Sequence, residues 1–129
     1  TKGGLEKNSF CEILQENNIH FIVLAGFLLK LPSRLVSSYD KKIINLHPSL
    51  LPKFGGKGMY GDNVHLKVLA SDEKKTGITI HYVNEEYDSG DIIFQKEIEL
   101  SDAETLETLR EKIREVEYYY FPRIIKNLL

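Results

Sequence analysis

The chain has 129 residues, of which 42% are hydrophobic and 28% charged, and its formal net charge is −2. This composition is ordinary for one globular domain and excludes the disordered and fibrous classes of protein. The 17 basic side chains are balanced by 19 acidic ones and form no basic run, so we expect no nucleic-acid partner.

Cysteine content and apolar runs bear on the compartment. The one cysteine, Cys11, cannot form an internal disulfide, which is typical of a reducing compartment. The longest apolar run, at residues 21–29, is too short to span a bilayer. We therefore predict a cytoplasmic protein without membrane contact. The histidines are scattered over different predicted elements, so no metal site is predicted.

The first part of the chain reads as a helix followed by a strand. Apolar residues recur at helical spacing over residues 5–17 and predict a helix. The continuous apolar run at 21–26 is typical of a strand that is buried on both faces in a parallel sheet. The segment 27–32 lies between a glycine and a proline, and it is either a loop packed on the core or an apolar wall beside a ligand.

A short helix and a second strand come next. Ser33 can cap a helix whose inner side carries Leu35, Val36 and Tyr39. Two apolar strands joined by a short helix are typical of a parallel pair.

The second strand, at residues 43–47, ends in a polar pair. Asn45 and His47 are two residues apart, so both side chains point to one face, and Pro48 ends the strand. Open α/β sheets bind ligands at the carboxyl ends of their strands. An amide that donates to an oxyanion, beside an imidazole that carries a proton, suits acyl-type chemistry. The alternative is a capped strand end whose polar groups satisfy nearby backbone.

A glycine-rich loop and another helix follow. Four glycines fall within residues 53–61, but their spacing does not match a phosphate-binding loop. A surface loop is therefore favoured over an anion cradle. Residues 62–70 predict a helix, in which a lone His65 is more typical of a structural or exposed side chain than of a catalytic one.

The last third predicts two strands and a long helix. Residues 76–83 and 92–100 alternate in polarity, and the tight loop between them makes the two strands antiparallel. That loop carries four carboxylates between Glu85 and Asp91; one that faced His47 would favour the charged imidazole and fix its tautomer. From Thr105 an apolar stripe predicts an amphipathic helix. We expect Ser101 or Asp102 to cap this helix and Pro122 to interrupt or bend it.

Several of these segments together resemble the phosphoribosylglycinamide formyltransferases. The main one is Asn45-Leu46-His47-Pro48-Ser49-Leu50-Leu51-Pro52; the others are Leu24-Ala25-Gly26-Phe27, His81-Tyr82-Val83 and Tyr87-Asp88-Ser89-Gly90. The resemblance implies a Rossmann-like α/β formyltransferase fold, with a mainly parallel twisted sheet, helices on both faces and an antiparallel carboxyl-terminal strand. It also implies that residues 1–129 form a single domain, the carboxyl-terminal two-thirds of the family's domain.

The resemblance further implies roles for individual residues. The catalytic residues would be Asn45, His47 and Asp88, and Arg114 and Glu117 would bind the ribonucleotide substrate. The folate co-substrate would contact Leu28, Leu29, Lys30, Leu31, Asn45, Asn84, Glu85, Glu86, Tyr87 and Asp88.

The implied reaction transfers a formyl group from 10-formyltetrahydrofolate to the amine of glycinamide ribonucleotide, in purine synthesis. The partners would then be small molecules, with a homodimer as one possible assembly. The alternatives are a deformylase of the same folate and an inactive folate-binding fragment. The family's upstream strand and its phosphate-holding glycine-rich turn have no counterpart in this sequence, so we expect the 129 residues alone to bind the ribonucleotide poorly and to be inactive.

Overall fold

The computed structural model of the chain describes residues 8–25, 31–85 and 90–129. Within these ranges there are four helices and four strands. In chain order they are α1 (Asn8–Glu16), β1 (Ile22–Ala25), α2 (Ser33–Ser38), β2 (Ile43–His47), α3 (Asp62–Leu69), β3 (Lys75–Tyr82), β4 (Ile92–Glu99) and α4 (Leu106–Leu128). The strands form one sheet in the order β1-β2-β3-β4. None of the helices in these ranges is long and apolar enough to cross a bilayer.

The strand directions confirm part of the expected topology and correct another part. β1 and β2 are parallel, and β3 and β4 are antiparallel, as their connections predict. β2 and β3 are also antiparallel, because β3 enters the sheet at the end where β2 leaves it. The α/β class is thus confirmed, but the expectation of a mainly parallel sheet holds only for β1 and β2 among the described strands.

Two apolar clusters cover the two faces of the sheet. On one face, Ile44 and Leu46 of β2 pack with residues of β3 beneath α3 and α4. On the other face, Ile43 packs with Leu31, Leu35 and Tyr39 around α2. All five residues of β2 are buried, so this strand is the centre of the fold and helices lie on both faces.

β1 is less buried than its apolar sequence predicts. Ile22 and Leu24 pack against the cluster around α2, whereas Val23 and Ala25 on the opposite face are exposed. The prediction of burial on both faces is therefore wrong for the described residues. In the described sheet β1 is an edge strand that pairs only with β2.

The helix ends also differ from the expectations. Pro32 occupies the cap position of α2, which has no side-chain cap, so the expected capping role of Ser33 is wrong. Thr105 caps α4 instead of Ser101 or Asp102: its side chain accepts from the Thr108 amide at 3.2 Å.

Pro122 does not interrupt α4, which continues to Leu128. The residue has no amide hydrogen to donate to the preceding turn. Ile124, Ile125 and Leu128 nevertheless pack on the core beyond it. Their burial offsets the missing backbone hydrogen bond, so the helix continues past the proline.

Gly77 permits the close approach of β3 to β4. A Cβ atom at this position would lie 2.0 Å from the carbonyl oxygen of Lys96 and 2.7 Å from Cδ2 of Leu50. No side chain fits in that space, so β4 and the turn after β2 can both pack directly on the β3 backbone.

The Glu104 carboxylate anchors the start of α4. It accepts hydrogen bonds from the Ser101 amide at 3.2 Å, from Lys112 Nζ at 2.6 Å and from the Thr108 hydroxyl. Burial alone would raise the pKa of this carboxyl, but the three donors outweigh it and lower the pKa of Glu104 to about 2.

We expect Glu104→Gln to lower the free energy of unfolding at neutral pH. A carboxyl with a lowered pKa in the folded state stabilises it fully above the ordinary value of 4.5, and this contribution is lost as the pH falls towards about 2. Urea unfolding across this range should show wild type and variant converging at the acid end. Glu107→Gln, on the exposed side of the same helical turn, is the control, and equal losses in both variants would contradict the anchor.

Candidate active site

A cavity of about 550 Å³ opens where β1 and β2 end, between the sheet, α3 and α4. The strands contribute Ala25, Asn45 and His47, and the glycine-rich loop contributes residues 59–61. Pockets of roughly 300 to 1,000 Å³ commonly hold small metabolites. The carboxyl end of β2 therefore borders a space of the size that a small-molecule substrate needs.

The cavity brings together residues that are far apart in the sequence. Asn45 and His47 from β2 line it together with Arg114 and Glu117 from α4. Arg114 and Glu117 are three residues apart on a helix and so lie on the same side of it. The buried side chains of Leu109 and Ile113 fix α4 against the sheet.

The imidazole of His47 is held by the loop that follows β2. His47 is only 3% exposed, and its Nε2 lies 2.8 Å from the carbonyl oxygen of Phe54. A carbonyl only accepts hydrogen bonds, so Nε2 carries the hydrogen and donates it. In the neutral ring the lone pair is then on Nδ1.

The turn between His47 and Phe54 is fixed by Thr79 of β3. The Thr79 hydroxyl donates to the Ser49 carbonyl at 2.7 Å and accepts from the Leu51 amide at 3.0 Å. Gln95 of β4 donates to the same hydroxyl and to the Leu51 carbonyl, each at 3.0 Å. β3, the strand next to β2, and β4, the strand beyond it, thus fix the turn whose Phe54 carbonyl contacts the His47 ring.

Asn45 is 7% exposed and only partly satisfied. Its Nδ2 lies 3.4 Å from Nε2 of His81 on β3, but its Oδ1 has no hydrogen-bond partner among the described residues. One other buried side-chain atom in the described ranges, Nδ1 of His65, is also unpartnered. Both residues line the cavity. Buried polar atoms normally have partners, so the capped strand end that the sequence offers as an alternative does not account for Asn45.

The wall formed by α4 carries a carboxylate and two guanidinium groups. Burial raises the pKa of Glu117, and the nearby Arg114 opposes this shift without cancelling it. Arg110 also lines the cavity and holds both carboxylate oxygens of Asp62, at 3.1 and 2.7 Å. Arg110 is therefore engaged in an ion pair with Asp62, while Arg114 acts on Glu117 through the electrostatic attraction between their charges.

His65 of α3 also lines the cavity and is only 6% exposed. Burial lowers its pKa, Asp62 opposes this, and Arg110 adds to it. The neutral imidazole is consequently the main form near neutral pH, and it offers a hydrogen-bonding group rather than a charge to the cavity.

Part of the predicted folate site lies outside the described residues. This holds for Leu28, Leu29, Lys30, Glu86, Tyr87 and Asp88. Leu31 is buried in the cluster around α2, and Asn84 and Glu85 are exposed at the end of β3. None of these three described residues lines the cavity. The folate contacts and the pairing of Asp88 with His47 remain predictions.

The sequence interpretation missed three contributors to the cavity. Residues 59–61 belong to the glycine-rich loop for which a surface role was favoured, and they line the cavity. His65 and Arg110, for which the sequence predicts no role in binding, also line the cavity. One usable signal is the position of this loop, because it directly follows the strand that carries Asn45 and His47.

Comparison with known proteins agrees with this geometry. Residues 1–125 match the family model described as Formyl transferase. The chain belongs to the formyl transferase family. This finding confirms the resemblance seen in the sequence.

Relatives within the formyl transferase family have similar sequences and structures. The chain is 40% identical over 123 residues to phosphoribosylglycinamide formyltransferase of Bacillus subtilis, a match that covers 95% of the chain and 60% of that protein. It is 39% identical over 122 residues to the chloroplastic enzyme of that name from Arabidopsis thaliana, covering 95% of the chain and 42% of that protein. The crystal structure of the Bacillus halodurans phosphoribosylglycinamide formyltransferase superposes with a TM-score of 0.85 at 38% identity, covering 94% of the chain and 60% of that structure. The chain thus spans about 40 to 60% of these relatives' lengths.

We expect Thr79→Val in this formyl transferase chain to loosen the turn that holds His47. The isosteric valine leaves the Leu51 amide and the Ser49 carbonyl unpaired, which costs about 1 to 3 kcal/mol for each buried group. Urea unfolding should show the loss, and the NMR signal of the His47 Nε2 hydrogen should exchange faster with water. Thr79→Ser keeps the hydroxyl and is the matched control. Slow exchange in the valine variant would disprove the role of Thr79.

Proposed function

We propose that the chain carries the transfer site for moving a formyl group from 10-formyltetrahydrofolate to the amine of glycinamide ribonucleotide. One observation supports this most directly: Asn45, His47, Arg114 and Glu117 line a single cavity. The names of the relatives from Bacillus subtilis and Arabidopsis thaliana support the same reaction. They do not favour the deformylase or the inactive fragment.

The described residues suit such a pair of substrates. The cavity has the volume for a small metabolite, and Asn45 and His47 line it at the end of β2. The folate would supply the formyl group. We place its contacts at Leu28–Leu31 and Asn84–Asp88, and those of the ribonucleotide at Arg114 and Glu117.

Asn45 would stabilise the charge that develops on the formyl oxygen. An amide hydrogen aimed at that oxygen contributes roughly 3 to 4 kcal/mol in comparable sites. The amine of the ribonucleotide attacks the formyl carbon directly, so the reaction requires no serine or cysteine nucleophile. As the new C–N bond forms, the bond between the formyl carbon and the folate nitrogen breaks; the amine loses a proton and the departing folate nitrogen takes one up.

His47 would carry the proton that moves during transfer. Its Nε2 hydrogen is already donated to the Phe54 carbonyl, so the proton would be exchanged at Nδ1. We propose Asp88 as the carboxylate that favours the charged imidazole and fixes the ring. Proton transfer by a positioned side chain typically accelerates a reaction about 10² to 10⁴-fold.

We further infer that the partners are the two small molecules and that the protein works in the cytoplasm without nucleic acid or membrane. The relative from Arabidopsis thaliana is named chloroplastic, so the compartment differs within the family. A homodimer is compatible with the proposal.

We expect 10-formyltetrahydrofolate to be consumed only when glycinamide ribonucleotide is present. Loss of the formyl group without the amine would identify a deformylase, and no consumption would identify an inactive fragment. The assay follows folate absorbance with each substrate omitted in turn. It is run on the 129-residue chain and on a version extended upstream with the corresponding segment of the Bacillus subtilis relative.

In the version that is active, we expect Asn45→Ala to lower kcat about 10² to 10³-fold. His47→Ala should lower kcat at least about 10²-fold, because the proton carrier is lost. His20→Ala, an exposed histidine outside the cavity, is the control. Normal turnover by either cavity variant would contradict the proposed roles.

We expect Glu117→Gln to weaken ribonucleotide binding while stabilising the protein. Hydrogen bonds to a charged group contribute about 1.5 to 3 kcal/mol, so KM for the ribonucleotide should rise about tenfold or more with little change in kcat. A carboxyl whose pKa is raised in the folded state destabilises it once the pH exceeds the ordinary value. The melting temperature of the variant should therefore exceed that of wild type at neutral pH, and the two should converge in acid.

Glu115→Gln, on the exposed side of α4, is the control for both measurements. An unchanged KM in the Glu117 variant would remove this residue from the substrate site. A melting temperature that falls at neutral pH would contradict the cost of burying its charge.

A further inference from the structure

An ion pair between α3 and α4 stands at the cavity and has no role in the transfer described above. Asp62 is the first residue of α3, and Arg110 lies in the second turn of α4, 48 residues further along the chain. The guanidinium group of Arg110 donates from Nε to Oδ1 of Asp62 at 3.1 Å and from Nη2 to Oδ2 at 2.7 Å. One planar group thus holds both carboxylate oxygens, which makes the contact directional as well as attractive.

The two residues of this pair lie next to groups that line the cavity. Residues 59–61 line it and lead directly into Asp62. Arg110 lines it as well, with Arg114 one turn and Glu117 two turns further along the same side of α4. The ion pair therefore connects the wall that residues 59–61 form to the wall that α4 forms.

Local contacts shape the loop that leads into Asp62. Gly58 and Gly61 have φ angles of 83° and 54°, which glycine adopts without strain, and the Tyr60 amide donates to the Gly58 carbonyl at 3.2 Å. Contacts of this short range fix the shape of a loop but not its distance from another element. The bonds between Asp62 and Arg110 fix that distance, because they tie the end of the loop to α4.

We propose that Asp62 and Arg110 are positioning residues, whose ion pair holds residues 59–61 at the distance from α4 that ribonucleotide binding requires. The inference rests on the proposed function, because that function assigns the ribonucleotide to the cavity between these two walls. Two other interpretations compete with it. In one, the pair only stabilises the packing of α3 on α4; in the other, Arg110 binds the substrate itself.

A double-mutant cycle separates the three interpretations. Asp62→Asn and Arg110→Gln each remove the charge of one partner, and both are made in the version of the protein that is active in the assay above. We expect each variant to raise KM for the ribonucleotide about 2- to 5-fold with kcat nearly unchanged, the range expected of an exposed ion pair. The double variant should raise KM no further, because the second substitution removes an interaction that the first has already broken.

Two results of the cycle would overturn the proposal. An unchanged KM in both single variants, with only the melting temperature lowered, would identify a purely structural pair. A KM that rises further in the double variant would show that Arg110 contacts the substrate. Lys75→Gln is the control, because Lys75 forms an ion pair with Glu97 between β3 and β4 at 3.4 Å and neither residue lines the cavity.

Amide hydrogen exchange tests the positioning without any assay. The side chains of Arg110 and Asp62 are 40% and 53% exposed, so salt screens the charges of the pair. We expect the amides of residues 59–61 to exchange faster in Asp62→Asn than in wild type, and the wild-type rates to approach those of the variant as NaCl is raised to about 1 M.

Equal exchange rates in wild type and variant would overturn the proposal. Wild-type rates at residues 59–61 that do not respond to salt would also overturn it, even if the variants fail to fold. If exchange is as expected but no formyl group reaches the ribonucleotide, the proposed function fails, while the pair is still shown to hold the loop.

Discussion

The antiparallel pairing of β2 with β3 is the constraint on which the site depends. Its register sets His81 opposite Asn45 and Thr79 opposite His47. Each polar side chain of β2 therefore meets a polar neighbour on the same face, directly for Asn45 and through the turn after β2 for His47. A slip of one residue between the two strands would turn Asn45 and His47 to the face opposite to that of His81 and Thr79 and so break both pairings. Burial of β2 on both faces makes such a slip costly, so the core that stabilises the fold also fixes the geometry of the site.

The opposite wall of the cavity is built by a different means. The position of α4 against the sheet relies on buried apolar contacts such as those of Leu109 and Ile113. The capping residues at its start prevent fraying at the end that carries these contacts. This anchoring brings Glu117 into a partly buried place where its charge is disfavoured. Charged groups that destabilise the free protein are common at binding and catalytic sites. The buried charge of Glu117 is destabilising in the same way.

How far the sequence predicts this structure depends on the range of the interactions involved. The bounds of β2 and the shared face of Asn45 and His47 follow from residues 43–48 alone, because an apolar pair, alternation and a proline are local signals. The course of α4 past Pro122 is decided by packing of residues from distant elements, which no local pattern records. The same holds for His65. It lies at the cavity because α3 packs on the sheet through Val64 and Val68.

Unpartnered polar atoms bear on the two interpretations of the end of β2, a site for acyl-type chemistry or a strand end whose polar groups satisfy nearby backbone. If Asn45 and His47 merely capped β2, folding would have no reason to leave polar atoms in this region buried and unpaired, at about 1 to 3 kcal/mol each. In the described ranges the two such side-chain atoms are Oδ1 of Asn45 and Nδ1 of His65, and both residues line the same cavity. A capping role for Asn45 would leave its Oδ1 paired, so the unpartnered oxygen is evidence against a merely capped strand end and supports the proposed site.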